Sequence, residues 1–152
     1  MTSEVTLNQQ TANAKKTSRI ARYAPVVVRV LLGLLFFVSG ANGLFHIFPD
    51  PKVQLPAGAM AFVGALMATG YMFPLIMGTE FIVGILLLTN RFVPLALTLL
   101  APFMVNSIAF HTFLEPSGRP MAIIVLALQL YLVWVYRESY RAILTARVRP
   151  MP

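Results

Sequence analysis

The sequence predicts an all-α membrane protein: a bundle of four transmembrane helices with an additional short re-entrant or interfacial helix between spans 1 and 2. Of the 152 residues, 58% are apolar and only 11% are charged, and the mean hydropathy is +0.76. A soluble domain of this size cannot hide so much apolar surface from water. The charged residues are concentrated between and beyond the apolar runs, as expected for membrane spans.

The first 24 residues form the one extended polar segment. Residues 1–24 are rich in Thr, Asn, Gln and Lys and have no apolar periodicity, so we expect a disordered or surface-lying arm. The apolar run that follows, from Val26 to Phe48, is longer than the h-region of a secretory signal. It is therefore interpreted as an uncleaved first span.

The rest of the chain divides at its turn residues. Residues 57–69 are apolar, but 13 helical residues cover only about 20 Å, short of the ~30 Å hydrocarbon core, which predicts the short helix. The spans are predicted at about 26–48, 71–89, 92–114 and 120–137. They form one membrane domain, 25–143, followed by a basic tail, 144–152.

The distribution of Lys and Arg predicts the orientation. With four spans, ten basic residues lie on the side of the termini and two, Lys52 and Arg119, on the other. If the short helix also spanned the bilayer, the count would be six against six. Because cytoplasmic loops carry the excess of positive charge, the four-span arrangement is favoured, with both termini cytoplasmic.

The net charge of +7 does not indicate a nucleic-acid-binding protein, because the basic residues flank apolar segments instead of sharing one soluble face. Lipid phosphate is the expected counter-charge, and Arg29 and Arg91 are the predicted headgroup contacts. The absence of cysteine excludes disulfides, thiolate metal sites and dithiol exchange.

Glu80 is the strongest candidate for a functional residue. It lies near the middle of the second predicted span, and Gly84 follows one helical turn later, where a neighbouring backbone can approach closely. An ionisable residue at this depth is costly and needs a partner. Two roles remain open: a protonated carboxyl that donates a structural hydrogen bond between helices, or a carboxyl that handles protons or binds a ligand.

Polar residues on the first and third spans complete the candidate set. Ser39, Asn42 and His46 follow one another at helical spacing and share one face of the first span. The glycines beside that face favour close helix packing; they are Gly33, Gly40 and Gly43.

The third span contains Pro102, which predicts a kink that could open a cavity. Asn106 and His111 are five residues apart and cannot point the same way on a regular helix, whereas Ser107 and His111 can. No single span has the His-x-x-x-His or Glu-x-x-His spacing of metal ligands, so no metal site is predicted. Phosphate-loop and serine-nucleophile motifs are also absent from the sequence.

The order of these features resembles the DoxX family of small bacterial integral membrane proteins, over about Arg22 to Arg141. The resemblance rests mainly on five residues in this order: Glu80, Gly84, Arg91, Asn106 and His111. The matching stretches are Arg29-Val-Leu-Leu-Gly-Leu-Leu-Phe-Phe-Val-Ser-Gly, Glu80-Phe-Ile-Val-Gly-Ile-Leu-Leu-Leu, Arg91-Phe-Val-Pro-Leu-Ala and Pro102-Phe-Met-Val-Asn-Ser-Ile-Ala-Phe-His.

The resemblance implies a four-helix protein of the bacterial inner membrane, in a family named for a subunit linked to a terminal quinol oxidase, with relatives tied to thiosulfate and quinone oxidation or to oxidative-stress complexes. The expected function is that of an accessory subunit, without catalytic activity of its own, in a larger respiratory or redox membrane complex. A quinone or lipid pocket is expected in it. The alternatives are a stand-alone quinone-linked oxidoreductase component and a small-solute or proton pathway through Glu80. The expected partners are the lipid bilayer and other membrane protein subunits.

Overall fold

The computed structural model describes residues 2–49 and 54–141, with side chains described from Tyr23 onward. The described residues form helices and connecting turns, without strands. The helices are α1 (Thr2–Phe45), α2 (Ala57–Ala68), α3 (Met72–Leu88), α4 (Val93–Phe113), a 3₁₀ turn (Pro116–Gly118), α5 (Arg119–Val135) and α6 (Arg137–Tyr140). The protein is therefore an all-α membrane protein, as predicted.

The N-terminal segment is helical, because the backbone of α1 is already helical at Thr2; its place on the membrane surface stays a prediction. No glycine or proline occurs before Pro25, so no residue interrupts a helix that continues outward from the first span. The predicted basic tail, residues 144–152, lies outside the described residues, as does Lys52.

Four long helices surround one core in alternating directions. α1 contacts α3 and α5, and α4 contacts the same two helices, so the four close into a ring. We call the end where α1 and α4 end the distal end, and the end near Tyr23 and the α3–α4 turn the proximal end. Three segments of the described chain are each long and apolar enough to span a membrane: Tyr23–Phe45 of α1, α4, and Pro116–Val135, which contains α5. The bent pair of α2 and α3 supplies the fourth span.

The closest helix pair is α1 and α3, and glycines permit the approach. A Cβ atom on Gly84 would lie 2.4 Å from the backbone nitrogen of Phe37, and one on Gly40 would lie 2.3 Å from that of Phe81. Both distances are far below ordinary van der Waals contact. The predicted packing role of these glycines is confirmed, and the pairing sets the antiparallel register of α1 against α3.

The core is apolar, and so is most of the outer surface. Leu32, Val83, Leu100 and Leu132 are essentially inaccessible, and the rings of Phe36 and Phe103 meet edge to face at 5.9 Å. Only 22–33% of the most apolar windows of α1, α4 and the Pro116–Val135 segment is buried inside the structure. Such an apolar exterior requires lipid as its solvent.

The predicted short helix is present as α2, one residue shorter than expected, and it meets α3 at an angle of 91°. The break is at Gly70, whose φ of +74° suits glycine. Thr69 stabilises the break, because its hydroxyl donates to the Leu66 carbonyl at 2.7 Å and accepts from the Met72 N–H at 3.0 Å. The bend places α2 beside α3 at the distal end.

Candidate functional site

Glu80 lies at the middle of α3 and is 3% exposed. Its depth follows from the close approach of α1 to α3, since Gly84, one turn further along α3, brings the α1 backbone against the same face. Among the described side chains, the Glu80 Oε2 atom is one of two fully buried polar atoms without a hydrogen-bond partner. A buried acceptor or donor left unpaired is costly, so this atom is a candidate for binding a ligand or exchanging a proton.

Ser39 on α1 faces Glu80 across this close contact. It lines the same cavity as Glu80. Of the polar face predicted on the first span, Ser39 therefore lies at the Glu80 site.

One cavity beside Glu80 has a volume of about 300 Å³ and lies between α2, α3 and α4. We call it the α2 cavity. Its polar lining residues are Thr79, Glu80 and Asn106, and Pro102 is part of its wall. The remaining lining residues are apolar: Phe62, Leu66, Met72, Leu75, Ile76, Leu99, Leu100 and Phe103.

A second cavity, of about 280 Å³, lies on the other side of Glu80 between α1, α4 and α5. We call it the central cavity. Its polar lining residues are Ser39, Glu80, Ser107 and His111. Glu80 and Phe103 line both cavities, so the carboxyl stands at the wall that the two cavities share.

The prediction about the directions of the α4 side chains is confirmed. Ser107 and His111 line the central cavity together, whereas Asn106 lines the α2 cavity. Glu80 therefore shares one cavity with Asn106 and the other with His111.

His111 is held at the distal end by a carboxylate that the sequence analysis did not identify. Its Nδ1 atom lies 2.9 Å from Glu115 Oε2 and 3.1 Å from the Glu115 carbonyl oxygen. The same carboxylate accepts hydrogen bonds from the Ser117 hydroxyl and, at 2.9 Å, from the Gly118 N–H. The Ser117 hydrogen bond above all holds the pKa of Glu115 below its ordinary value, against the opposing effect of burial, so Glu115 is ionised at neutral pH.

The sequence does contain a pattern that indicates the pairing of His111 with Glu115. His111 and Glu115 are four residues apart, which places them on one helical face, and Glu115 precedes Pro-Ser-Gly, a turn in which a carboxylate commonly caps backbone N–H groups. Glu115 falls in the predicted loop after the third span, where a carboxyl is not costly and so does not by itself indicate a functional site. The turn also needs Gly118, because a Cβ there would lie 2.3 Å from His111 Cε1.

Arg29 does not make the predicted headgroup contact. It is 8% exposed, and its Nη1 atom donates to the carbonyl oxygens of Leu87 and, at 3.4 Å, Leu88. These carbonyls lie at the end of α3, beyond its last regular hydrogen bonds, and the close α1–α3 packing places them beside Arg29. The Leu87 oxygen also accepts a hydrogen bond from the Asn90 N–H at 3.3 Å. Arg91 is exposed in the α3–α4 turn, and its contact with lipid phosphate stays a prediction.

Asn42 and His46 do not join the Glu80 site. Asn42 Oδ1 accepts a hydrogen bond from the Phe48 N–H at 2.6 Å, which fastens the chain that leaves α1. His46 lies just beyond the end of α1, exposed and with a left-handed φ of 51°. Helix α1 ends at Phe45. His46 therefore lies outside the helix, and the helical spacing that would place it on the same face as Ser39 and Asn42 does not apply to it. Within residues 2–49 and 54–141, no group of three His, Cys, Asp or Glu side chains could hold a metal ion.

The fold and the site define a class: a small polytopic α-helical membrane protein in which the carboxyl of Glu80 is buried between two cavities. The family model for DoxX matches residues 24–112, which include Glu80, Asn106 and His111. The chain belongs to the DoxX family. Comparison with curated proteins gives no match, and comparison with solved structures gives none either.

Proposed function

We propose that this DoxX-family protein binds the head of a quinone in its α2 cavity and acts as an accessory subunit of a larger redox complex in the bacterial inner membrane. The observation that carries the proposal is the α2 cavity itself: about 300 Å³, mainly apolar, with Glu80 and Asn106 at its wall. Ligand sites for small molecules have this size range, apolar lining and few polar groups.

The polar groups of the cavity suit a quinone head. The Asn106 amide can donate to a quinone carbonyl, and the Glu80 carboxyl can accept from a quinol hydroxyl or, when protonated, donate to a carbonyl. The unpaired Glu80 Oε2 atom gains a partner in either case. A quinone head carries its oxygens on opposite sides of an apolar ring, which matches two polar groups in an apolar wall.

The outer surface supports the role of an accessory subunit. Gly64 on α2 and Gly78 on α3 have no neighbouring heavy atom within 4 Å of a Cβ position. Small residues at the outside of membrane helices let another helix pack closely. Within the described residues we assign the groups around Glu80 to ligand binding, and we propose that partner subunits carry out the redox chemistry.

The orientation in this proposal follows the distribution of basic residues. Both termini and the proximal end, with Arg91, Arg137 and Arg141, are placed on the cytoplasmic side, in accord with the excess of positive charge there. Trp134 is 62% exposed at this end, and the Arg137 guanidinium lies 4.9 Å from the centre of its ring. Aromatic and basic residues in this arrangement are typical of the headgroup level.

Equilibrium binding of a short-chain benzoquinone to the purified full-length protein in lipid nanodiscs tests the ligand. Asn106→Leu is expected to weaken binding about tenfold, the equivalent of one net hydrogen bond. Thr112→Val, on an exposed position of α4 outside both cavities, is the control and should bind like the wild type. Absence of saturable binding to the wild type, or equal affinity in Asn106→Leu, would contradict the assignment.

The subunit role is tested separately by gentle solubilisation from the native membrane. We expect the protein to migrate as part of a larger assembly that contains a redox-active subunit. Substituting the open position, Gly78→Leu, should release it from that assembly while the bundle stays folded. Migration of the wild type on its own would count against the accessory role but not against quinone binding.

A further inference from the structure

The central cavity has no role in quinone binding as proposed, yet it is the more polar route away from Glu80. It follows α4 from Phe103 to His111, which corresponds to about 12 Å along the helix axis. Along that length it passes Ser107, and Ser39 faces it from α1. We propose that the central cavity is a proton path between Glu80 and the distal surface, with His111 as the group that carries the proton.

The path has a proton-accepting group at each end. At the inner end, Glu80 is 3% exposed and its Oε2 atom is unpaired in the described part of the chain. At the outer end, the His111 side chain is 25% exposed, so the ring contacts both the cavity and the surroundings at the distal end. The cavity volume of about 280 Å³ accommodates several water molecules, and its serine and histidine groups provide the polar partners that buried water needs.

Glu115 acts on this path as a positioning residue. Its carboxylate holds His111 Nδ1 at 2.9 Å, which orients the ring and leaves Nε2 to exchange protons, since no described residue hydrogen-bonds that nitrogen. A carboxylate on one ring nitrogen also stabilises the imidazolium that forms when the other nitrogen accepts a proton. Among the described residues, Arg119 is a further charged group beside His111, since its guanidinium donates to the His111 carbonyl oxygen at 3.4 Å.

The transfer involves no oxidant or reductant. A proton leaves the Glu80 carboxylic acid and moves through water in the central cavity to His111 Nε2, giving a carboxylate and an imidazolium. The imidazolium then releases the proton to water at the distal surface, and the reverse sequence reprotonates Glu80. The purpose of this path rests on the proposed function, because the path would change the protonation of Glu80, the carboxyl that would hold the quinone head.

Stopped-flow infrared spectroscopy of the full-length protein in nanodiscs, without quinone, tests the path. After mixing with D₂O buffer or a pH jump, the carboxyl bands that are lost in Glu80→Gln report the exchange rate of Glu80. His111→Gln is expected to slow this rate about 100-fold, the lower range of what a positioned acid–base group contributes. Thr112→Val, the next residue on α4 but outside both cavities, should exchange at the wild-type rate.

Two further variants separate proton transfer from a structural role. In His111→Ala, added imidazole should restore the exchange rate, which a packing defect would not allow. Ser107→Ala, a small change within a continuous helix, should slow exchange about tenfold through loss of one hydrogen-bonding group; it serves if the histidine variants do not fold. A wild-type rate in His111→Gln or Ser107→Ala, or slow exchange in His111→Ala without rescue by imidazole, would overturn the proposal.

The outcome is distinguishable from that of the quinone proposal. His111 does not line the α2 cavity, so His111→Gln should bind the benzoquinone with wild-type affinity. A wild type that binds no quinone but shows His111-dependent exchange would remove the proposed ligand and leave the proton path. Quinone binding together with an exchange rate that does not depend on His111 would keep the proposed ligand and remove the proton path.

Discussion

The α1–α3 contact provides the sharpest test of the fold, through the substitution Gly84→Ala. The added Cβ would lie 2.4 Å from the Phe37 nitrogen and 2.5 Å from its Cα atom. Ordinary contact begins near 3.4 Å, so the two helices must separate by about 1 Å. The obstructing atoms belong to the backbone, and no side-chain rotation can relieve the overlap.

We expect Gly84→Ala to lower the free energy of unfolding by about 2 kcal/mol. Overpacking a close contact typically costs 1–3 kcal/mol, and the helix propensity of alanine returns at most about 1 kcal/mol. Gly78→Ala is the matched control, because it lies on the same helix and a Cβ there meets nothing within 4 Å. This control should be neutral or slightly stabilised.

Unfolding of the two variants in detergent, followed by circular dichroism during heating or titration with a denaturing detergent, measures the difference. Separation of α1 from α3 also moves Ser39 away from Glu80, so Gly84→Ala should disturb the Glu80 infrared band while Gly78→Ala leaves it in place. Equal stability of Gly84→Ala and Gly78→Ala would refute the register of α1 against α3 described above.

Two further predictions concern the ends of the bundle. Arg29→Met should lower the free energy of unfolding by about 1–3 kcal/mol, because the Leu87 and Leu88 carbonyl oxygens lose the charged side-chain donor at the end of α3; Arg91→Gln, at an exposed position, should stay within about 0.5 kcal/mol in the same unfolding measurement. The Ser117 hydrogen bond holds the folded-state pKa of Glu115 below its value of 4.5 in an unperturbed chain, so the carboxylate contributes stability above about pH 4.5 that is lost as the pH falls through the folded-state pKa. The melting temperature of the wild type should therefore fall over that acidic range more than that of Glu115→Gln, and parallel curves would contradict the role of the carboxylate.

Much of the fold could be predicted because membrane helices leave a local signal. The apolar runs mark the membrane-spanning part of α1, and all of α3, α4 and α5, within a few residues, since each span must satisfy its backbone hydrogen bonds internally and face lipid. The short helix could be predicted because the apolar run 57–69 is too short to cross the hydrocarbon core. Gly84, one turn after Glu80, indicated a close helix contact. The helical character of residues 2–22 was not predicted, because polar composition does not show whether a helix continues beyond the membrane.

The candidate site was predicted in part. Glu80 was identified because a carboxyl within a span has few structural roles, and the different directions of Asn106 and His111 followed from helical geometry alone. Arg29 was assigned to lipid phosphate because nothing in the sequence shows that α3 ends beside it. Similarly, His46 was assigned to the polar face of α1 because the sequence does not show where the helix stops.

The sequence by itself determined that the protein is an all-helical membrane protein, where its apolar spans lie and which carboxyl falls within a span, since hydropathy and helical period depend on residues near one another in the chain. Only the tertiary structure decided that Glu80 stands between two cavities and that Arg29 caps α3. It also decided that Glu115 holds His111 beside Gly118. Those features depend on which helices are neighbours and in what register, and the register depends on close contacts such as those of Gly40 and Gly84, between residues far apart in the chain.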